Sequence, residues 1–249
     1  MTASATLPPT ATPRAIGSPT AAFRAALNEL RRVGARRVLD CPAGEGPFTV
    51  QLLAAGFDVT CCEIEPKLLK VPGKTADFGD LNDSLPYDAD QFDAVACLNG
   101  LQRVWARGRA LREFARVVRP GGHVVFTFVN NVNLAHRLAY LMTGSVTWNV
   151  NGPPDMFLPD AKEPAACFRY PMTLANVLGA MESVGLECDA VGAVGWSKGS
   201  LLLAPFGLVP FFSRWFAPEL YRRHGFLAES SSVPALFGDY LVVTAKKRA

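Results

Sequence analysis

Three carboxylates and two glycines stand where short apolar runs of the sequence end. Val38-Leu39 runs into Asp40 and is followed at once by Pro42-Ala43-Gly44-Glu45-Gly46. Val59-Thr60-Cys61-Cys62 ends in Glu63, with Ile64 next. Asp80 and Leu81 follow a weaker run near Lys74–Phe78. A carboxylate in the second of these places can accept both hydroxyls of a ribose. Glycines after the first run let a main chain approach a ligand closely. Asp80 and Leu81 are well placed to meet the amino group and ring of an adenine. The glycine turn lacks the third glycine of a dinucleotide site, which sets a nicotinamide- or flavin-dependent oxidoreductase behind other nucleoside-binding readings. Plain alternatives exist for each piece: a structural turn for the glycines, exposed strand-end carboxylates for Glu63 and Asp80.

The proton-transfer inventory is short. His123 opens an apolar run after a glycine turn and reads as structural, and His224 in Tyr221-Arg222-Arg223-His224 reads as solvated. His136, in Asn133-Leu134-Ala135-His136-Arg137, is the candidate general base, with a surface histidine as the bland alternative. Asn130, Asn131 and Tyr170 are candidates to orient a substrate by hydrogen bonds. The six cysteines lack the spacing of a disulfide framework and contain no CxxC pair, so no metal site is assigned. They read as reduced thiols of a cytoplasmic protein.

These residues need elements to position them. Phe23, Leu27, Leu30 and Val33 recur with helical spacing over about 20–33, ending at Gly34. Arg37–Asp40 then reads as a strand, the glycine turn leads into a helix carrying Phe48, Val50, Leu52 and Leu53, and Asp58–Cys62 is a second strand. Lys74–Phe78 is a third, Phe92–Cys97 a fourth and His123–Phe128 a fifth, the last two separated by a helix over about 107–118 and by Pro120-Gly121-Gly122. Strands alternating with helices in this rhythm predict an α/β fold with a parallel sheet and right-handed crossovers. Beyond Phe128 come a helix from Thr173 to about Val184, strands at 187–194 and Tyr240–Ala245, and an apolar insertion at about 200–232.

In order and at matching spacing, residues 36–130 resemble the class I S-adenosylmethionine-dependent methyltransferases, in their type 11, MetW-like small-molecule branch. Val38-Leu39-Asp40 with Gly44 and Gly46 is similar to the family's first motif, and Val59–Glu63 with Ile64-Glu65-Pro66 to its acidic second motif. Asp80-Leu81-Asn82-Asp83-Ser84-Leu85-Pro86-Tyr87 with Gln91-Phe92-Asp93-Ala94-Val95 resembles its third block. Leu111-Arg112-Glu113-Phe114-Ala115-Arg116-Val117-Val118-Arg119-Pro120-Gly121-Gly122 resembles its helix-and-turn signature.

The resemblance implies a Rossmann-like, doubly wound, mostly parallel seven-stranded sheet with an antiparallel last strand and helices on both faces. It implies S-adenosylmethionine as cofactor, with Asp40, Gly44 and Gly46 near its methionine end, Glu63 at the ribose, Asp80 and Leu81 framing the adenine, and Ala43 and Ile64 also among the cofactor-binding residues. Leu98 and Asn99 would face the methionine portion and the incoming acceptor, with Asn99 and His136 as the catalytic candidates. Two departures stand out. Pro42 replaces a usual glycine, and Arg103 stands where many relatives have a histidine; a guanidinium is always protonated and cannot serve as a base.

A net charge of +3 is too small to argue for a nucleic-acid partner. The proline-rich residues 1–20 read as a flexible tail without a signal sequence. The remainder reads as a single domain, 21–249, with a cofactor half (21–130) and an acceptor half (131–249). In the acceptor half, 146–148, 153–158 and especially 201–218 are apolar. Pro205, Pro210, Pro218 and Arg214 argue against a spanning helix there, leaving a roof over an acceptor pocket or a peripheral membrane or partner surface. The expected acceptor is a small molecule, apolar, lipid-linked, saccharide or secondary metabolite. Competing readings are a protein of the same fold that binds the cofactor without turnover, and a membrane-surface or partner-binding module. Oligomeric state is not legible.

Overall fold

In the computed structural model the fourth strand, Phe-Asp-Ala-Val-Ala-Cys-Leu, is an almost unbroken apolar run, as a strand covered on both faces must be. It is β4 (Phe92–Leu98), the middle of a seven-stranded sheet. The structure describes residues 19–143, 172–207, 218–219 and 232–248. The tail, the apolar stretches 146–148 and 153–158, Tyr170, His224 and most of 201–218 lie outside those residues.

The elements run α1 (Pro19–Arg32), β1 (Arg37–Asp40), α2 (Pro47–Ala54), β2 (Asp58–Glu63), β3 (Ala76–Phe78), β4, α3 (Arg107–Val117), β5 (Val118–Val129), α4 (Leu134–Thr143), α5 (Leu174–Glu182), β6 (Leu186–Trp196), α6 (Lys198–Leu202), α7 (Val233–Phe237) and β7 (Gly238–Lys247). The strand order is β3-β2-β1-β4-β5-β7-β6. β1 pairs parallel with both β2 and β4, whereas β7 runs antiparallel between β5 and β6. The chain leaves β1 for β2 and β3 on one side, then returns to β4 on the other. That reversal opens a crevice at the carboxyl ends of β1 and β4, where open α/β sheets bind ligands.

Alternation along each strand divides the core in two. Val38, Val59, Cys61, Ala94 and Ala96 pack under α1 and α2 with Leu30, Phe48 and Leu52. Leu39, Cys62, Val95, Cys97, Phe126 and Phe128 face α3 and α5 with Phe114, Leu174 and Met181. Thr173 caps α5, its hydroxyl accepting from the Asn176 N–H at 3.1 Å. The crossover from β2 to β3 carries only a single 3-10 turn, Pro66–Leu68, a departure from the strand–helix rhythm whose consequence appears at the site below.

Candidate cofactor site

The loop after β1 is held from both sides. Cys41 N–H donates to the Ala96 carbonyl of β4 and Ala43 N–H to the Cys62 carbonyl of β2, each at 2.9 Å. Pro42, which has no N–H to place, sits between these two bonds, so the departure from the family motif leaves both of them in place.

Gly44 and Gly46 both adopt left-handed backbone, at φ 56° and 90°, which glycine enters without the Cβ penalty. Their surroundings differ. A Cβ on Gly44 would meet nothing within 4 Å. One on Gly46 would lie 2.2 Å from Val71 Cγ2 and 2.8 Å from Leu69 Cδ1. The close approach at Gly46 is therefore to the β2–β3 crossover, whose thin turn folds back against the loop, and the open space is at Gly44. Lys70 and Glu45 tie the two segments together through an ion pair and through a Lys70 N–H bond to the Glu45 carbonyl at 3.1 Å.

Glu63, at the carboxyl end of β2, is only 6% exposed. Its Oε2 accepts from the Gly44 N–H at 2.7 Å and its Oε1 from the Ile64 N–H at 2.9 Å. A carboxylate has about four lone-pair directions; these two bonds leave acceptor capacity on each oxygen. Ile64 beside it is 45% exposed, an apolar surface at the rim. Asp80 Oδ1 accepts from both the N–H and the Nδ2 of Asn82, at 2.8 and 3.0 Å, which leaves Oδ2 to other donors. Asn82 in turn accepts the N–H groups of Trp105 and Ala106 at 3.1 Å, joining the segment after β3 to the start of α3. Leu81 is buried against the core.

Asp40 lies deeper than the reading of the sequence placed it. It is 1% exposed and accepts from the Thr49 hydroxyl of α2 at 2.6 Å. Burial pushes its carboxyl up to about 7; the Thr49 hydroxyl opposes the shift and the Glu63 charge adds to it. Thr49 was not legible as a site residue: nothing in its local sequence distinguishes it from any other helical threonine.

At the end of β4, Leu98 is partly buried and Asn99 takes left-handed backbone, φ 56°. For a non-glycine residue this is uncommon and tends to occur at functional sites. Asn99 N–H donates to the Thr127 carbonyl at 3.1 Å and Oγ1 at 3.2 Å, and its Oδ1 accepts from Gln102 Nε2 at 3.5 Å.

His136 sits apart from this group, in the first turn of α4 beyond β5. Burial lowers its affinity for a proton while Asp239, at the start of β7, raises it. Its Nδ1 is buried, and the Asn130 main chain also favours the protonated ring. Asn130 is buried, 1% exposed. Its Nδ2 donates to the Ala235 and Gly238 carbonyls at 2.8 and 2.9 Å, clamping the end of β5 to the corner between α7 and β7.

Residues 39–126 match the family model described as a methyltransferase domain. The chain is 37% identical over 126 residues to the demethylmenaquinone methyltransferase of Mycobacterium tuberculosis strain H37Rv, covering 47% of this chain and 52% of that protein. It is 34% identical over 111 residues to the ubiquinone/menaquinone biosynthesis C-methyltransferase UbiE of Syntrophotalea carbinolica, covering 41% and 47%. It thus spans about half the length of the curated relatives it matches. Its fold resembles an S-adenosylmethionine-dependent methyltransferase from Mesorhizobium loti, with a TM-score of 0.55 at 18% identity over 91% of this chain and 98% of that one. Residues 39–126, the stretch that contains Gly44 and Glu63, are thus similar to the methyltransferase domain family.

Proposed function

We propose that this protein is an S-adenosylmethionine-dependent methyltransferase acting on a small-molecule acceptor. The observation that carries the reading is Glu63, a buried carboxylate at the end of β2 whose two oxygens are held by main-chain N–H groups of the glycine loop and of Ile64. That arrangement leaves one acceptor direction per oxygen, the pattern that fits the adjacent hydroxyls of a ribose. Ile64 would cover an adenine face, Asp80 Oδ2 would take its amino group beside Leu81, and the open space at Gly44 would admit the methionine portion, with Asp40, Ala43 and Gly46 behind the loop and Leu98 and Asn99 opposite. When bound, the cofactor supplies a sulfonium methyl group, which passes to the acceptor by in-line displacement. The chain's contribution is alignment, which by itself is worth about 7–11 kcal/mol of barrier.

His136 is the proposed base wherever the acceptor must release a proton, and Asn99 the group that orients it. The relatives' names refer to ubiquinone and menaquinone biosynthesis, which supports an apolar acceptor; the family model itself matches 39–126, in the cofactor half. Acceptor choice belongs to 131–249, the second of the two halves we assign to one domain, with 21–130 as the first. The modest net charge supports the absence of a nucleic-acid partner. Four buried free cysteines and an exposed Cys188 support a reducing, cytoplasmic location. Among the described residues no helix is long and apolar enough to cross a membrane; peripheral membrane contact through 201–218 is part of this proposal.

Calorimetric titration with S-adenosylmethionine and S-adenosylhomocysteine tests the reading. Micromolar binding of both supports it. Absence of binding removes it, and binding without transfer across an acceptor panel favours a cofactor-binding protein without turnover.

A further inference from the structure

From the α4–α6 surface we infer that this edge of the molecule docks on an anionic phospholipid surface and draws its acceptor from there. The inference rests on the methyltransferase reading and names where the apolar acceptor comes from.

β5 and β6 both run antiparallel to β7, and Val129 and Val194 both pair with Tyr240. The two strands therefore end at the same sheet edge, the one at which β4 presents Leu98 and Asn99. α4 leaves this edge from β5 and α6 leaves it from β6. The two helices touch in their first turns, where Ala135 N–H donates to Ser200 Oγ at 3.1 Å and the Cβ of Ala135 lies 3.3 Å from where a Cβ on Gly199 would stand. These small residues let the backbones close up.

Past that contact the helices turn large apolar side chains to solvent. Leu141 and Met142 of α4 are 80% and 77% exposed, Leu202 of α6 is 84% exposed, and Leu138, Leu201 and Trp196 are each exposed beside them. Leu138, Leu141 and Met142 fall at i, i+3 and i+4, one face of a helix. Exposed leucines scattered singly need no explanation. A group of them on two packed helices at the mouth of a proposed binding crevice marks an interaction surface.

Charge selects the occupant. Segments 130–143 and 196–207 contain Arg137 and Lys198 and no Asp or Glu. An apolar face with a tryptophan at its edge and a cation on each segment, with Asp239 of β7 as an acidic neighbour that faces His136, matches an interfacial helix pair on an anionic bilayer.

The test is flotation of the full chain with vesicles of phosphatidylcholine, alone or mixed with phosphatidylglycerol. The wild type is expected to rise with the mixed vesicles, more weakly with phosphatidylcholine alone and more weakly at high salt. The triple variant Leu141→Ser, Met142→Ser and Leu202→Ser should lose at least about tenfold in the vesicle-bound to free ratio (about 1.4 kcal/mol) with an unchanged thermal midpoint, since all three side chains are exposed. A wild type that stays with the unbound protein, or a variant that floats as well as wild type, overturns the inference. So does a wild-type dimer that the variant dissolves in light scattering, because the face would then join two copies of the chain. S-adenosylmethionine titration of the same proteins separates the two ideas: binding without flotation sinks only the docking, and flotation without binding sinks only the methyltransferase reading.

Discussion

The main-chain N–H of Gly44 lies 2.7 Å from Glu63 Oε2, so the loop after β1 is fastened to the carboxylate that ends β2. One side chain thereby fixes the loop's path and keeps acceptor capacity on each of its oxygens. Glu63→Ala should weaken S-adenosylmethionine binding at least about tenfold, or 1.4 kcal/mol. It should also cost about 1–3 kcal/mol of stability, because two part-buried main-chain N–H groups lose their acceptor. Titration calorimetry and urea unfolding on the same variant read the two effects, and unchanged affinity would remove Glu63 from the site.

The loop glycines are expected to respond unequally. Gly44→Ala meets open space and bears only the left-handed backbone penalty, about 1–2 kcal/mol. Gly46→Ala bears that penalty and also drives a methyl into Val71 and Leu69, which adds about 1–3 kcal/mol of overpacking. Val71→Ala made in the Gly46→Ala background should recover part of the second cost and none in the Gly44→Ala background. Equal destabilisation of the two glycine variants would contradict the packing described here.

Asp40 gives a pH dependence with a definite sign. Its folded-state value, about 7, lies above that of an unfolded aspartate, about 3.9. Between the two the folded state holds a proton that the unfolded state has released. Stability from this group is therefore complete below the unfolded value and declines as pH rises towards 7, by about 1.4 kcal/mol per pH unit at most. Denaturant unfolding from pH 5 to pH 8 should show wild type losing ground to Asp40→Asn across this window and no further above it. Parallel curves would mean that Asp40 is ionised throughout.

The reading of His136 as a base predicts a kinetic signature. Burial holds the imidazole below its ordinary value, and Asp239 opposes that shift in part. The acidic limb of kcat should thus fall below about 6.5, and His136→Gln should abolish the limb and lower kcat by about 10²–10⁴. Binding of S-adenosylmethionine should be unaffected. An unaltered kcat would show that the acceptor needs no base, or that another group provides one.

Much of this architecture is local in origin and so was legible in the residues. Strands β1, β2 and β4, helices α1, α3 and α5 and the existence of a last strand at Tyr240–Ala245 follow from apolar periodicity and glycine or proline punctuation, which act over a few residues; that the last strand is antiparallel was implied only by the family resemblance and is set by its pairing with β5 and β6. Placement of Glu63, Gly44 and Asp80 at strand ends followed the same way, because a strand's end is where its apolar run stops. Other features depended on partners distant in the chain. Only the folded structure set β7 between β5 and β6, buried Asp40 against Thr49, gave Gly46 the Val71 side chain as its neighbour and turned Asn130 into a clamp on the α7–β7 corner. A side chain's type fixes how many hydrogen bonds it can make and how much it costs to bury. Which group meets it is decided when the sheet brings together residues that the sequence keeps far apart.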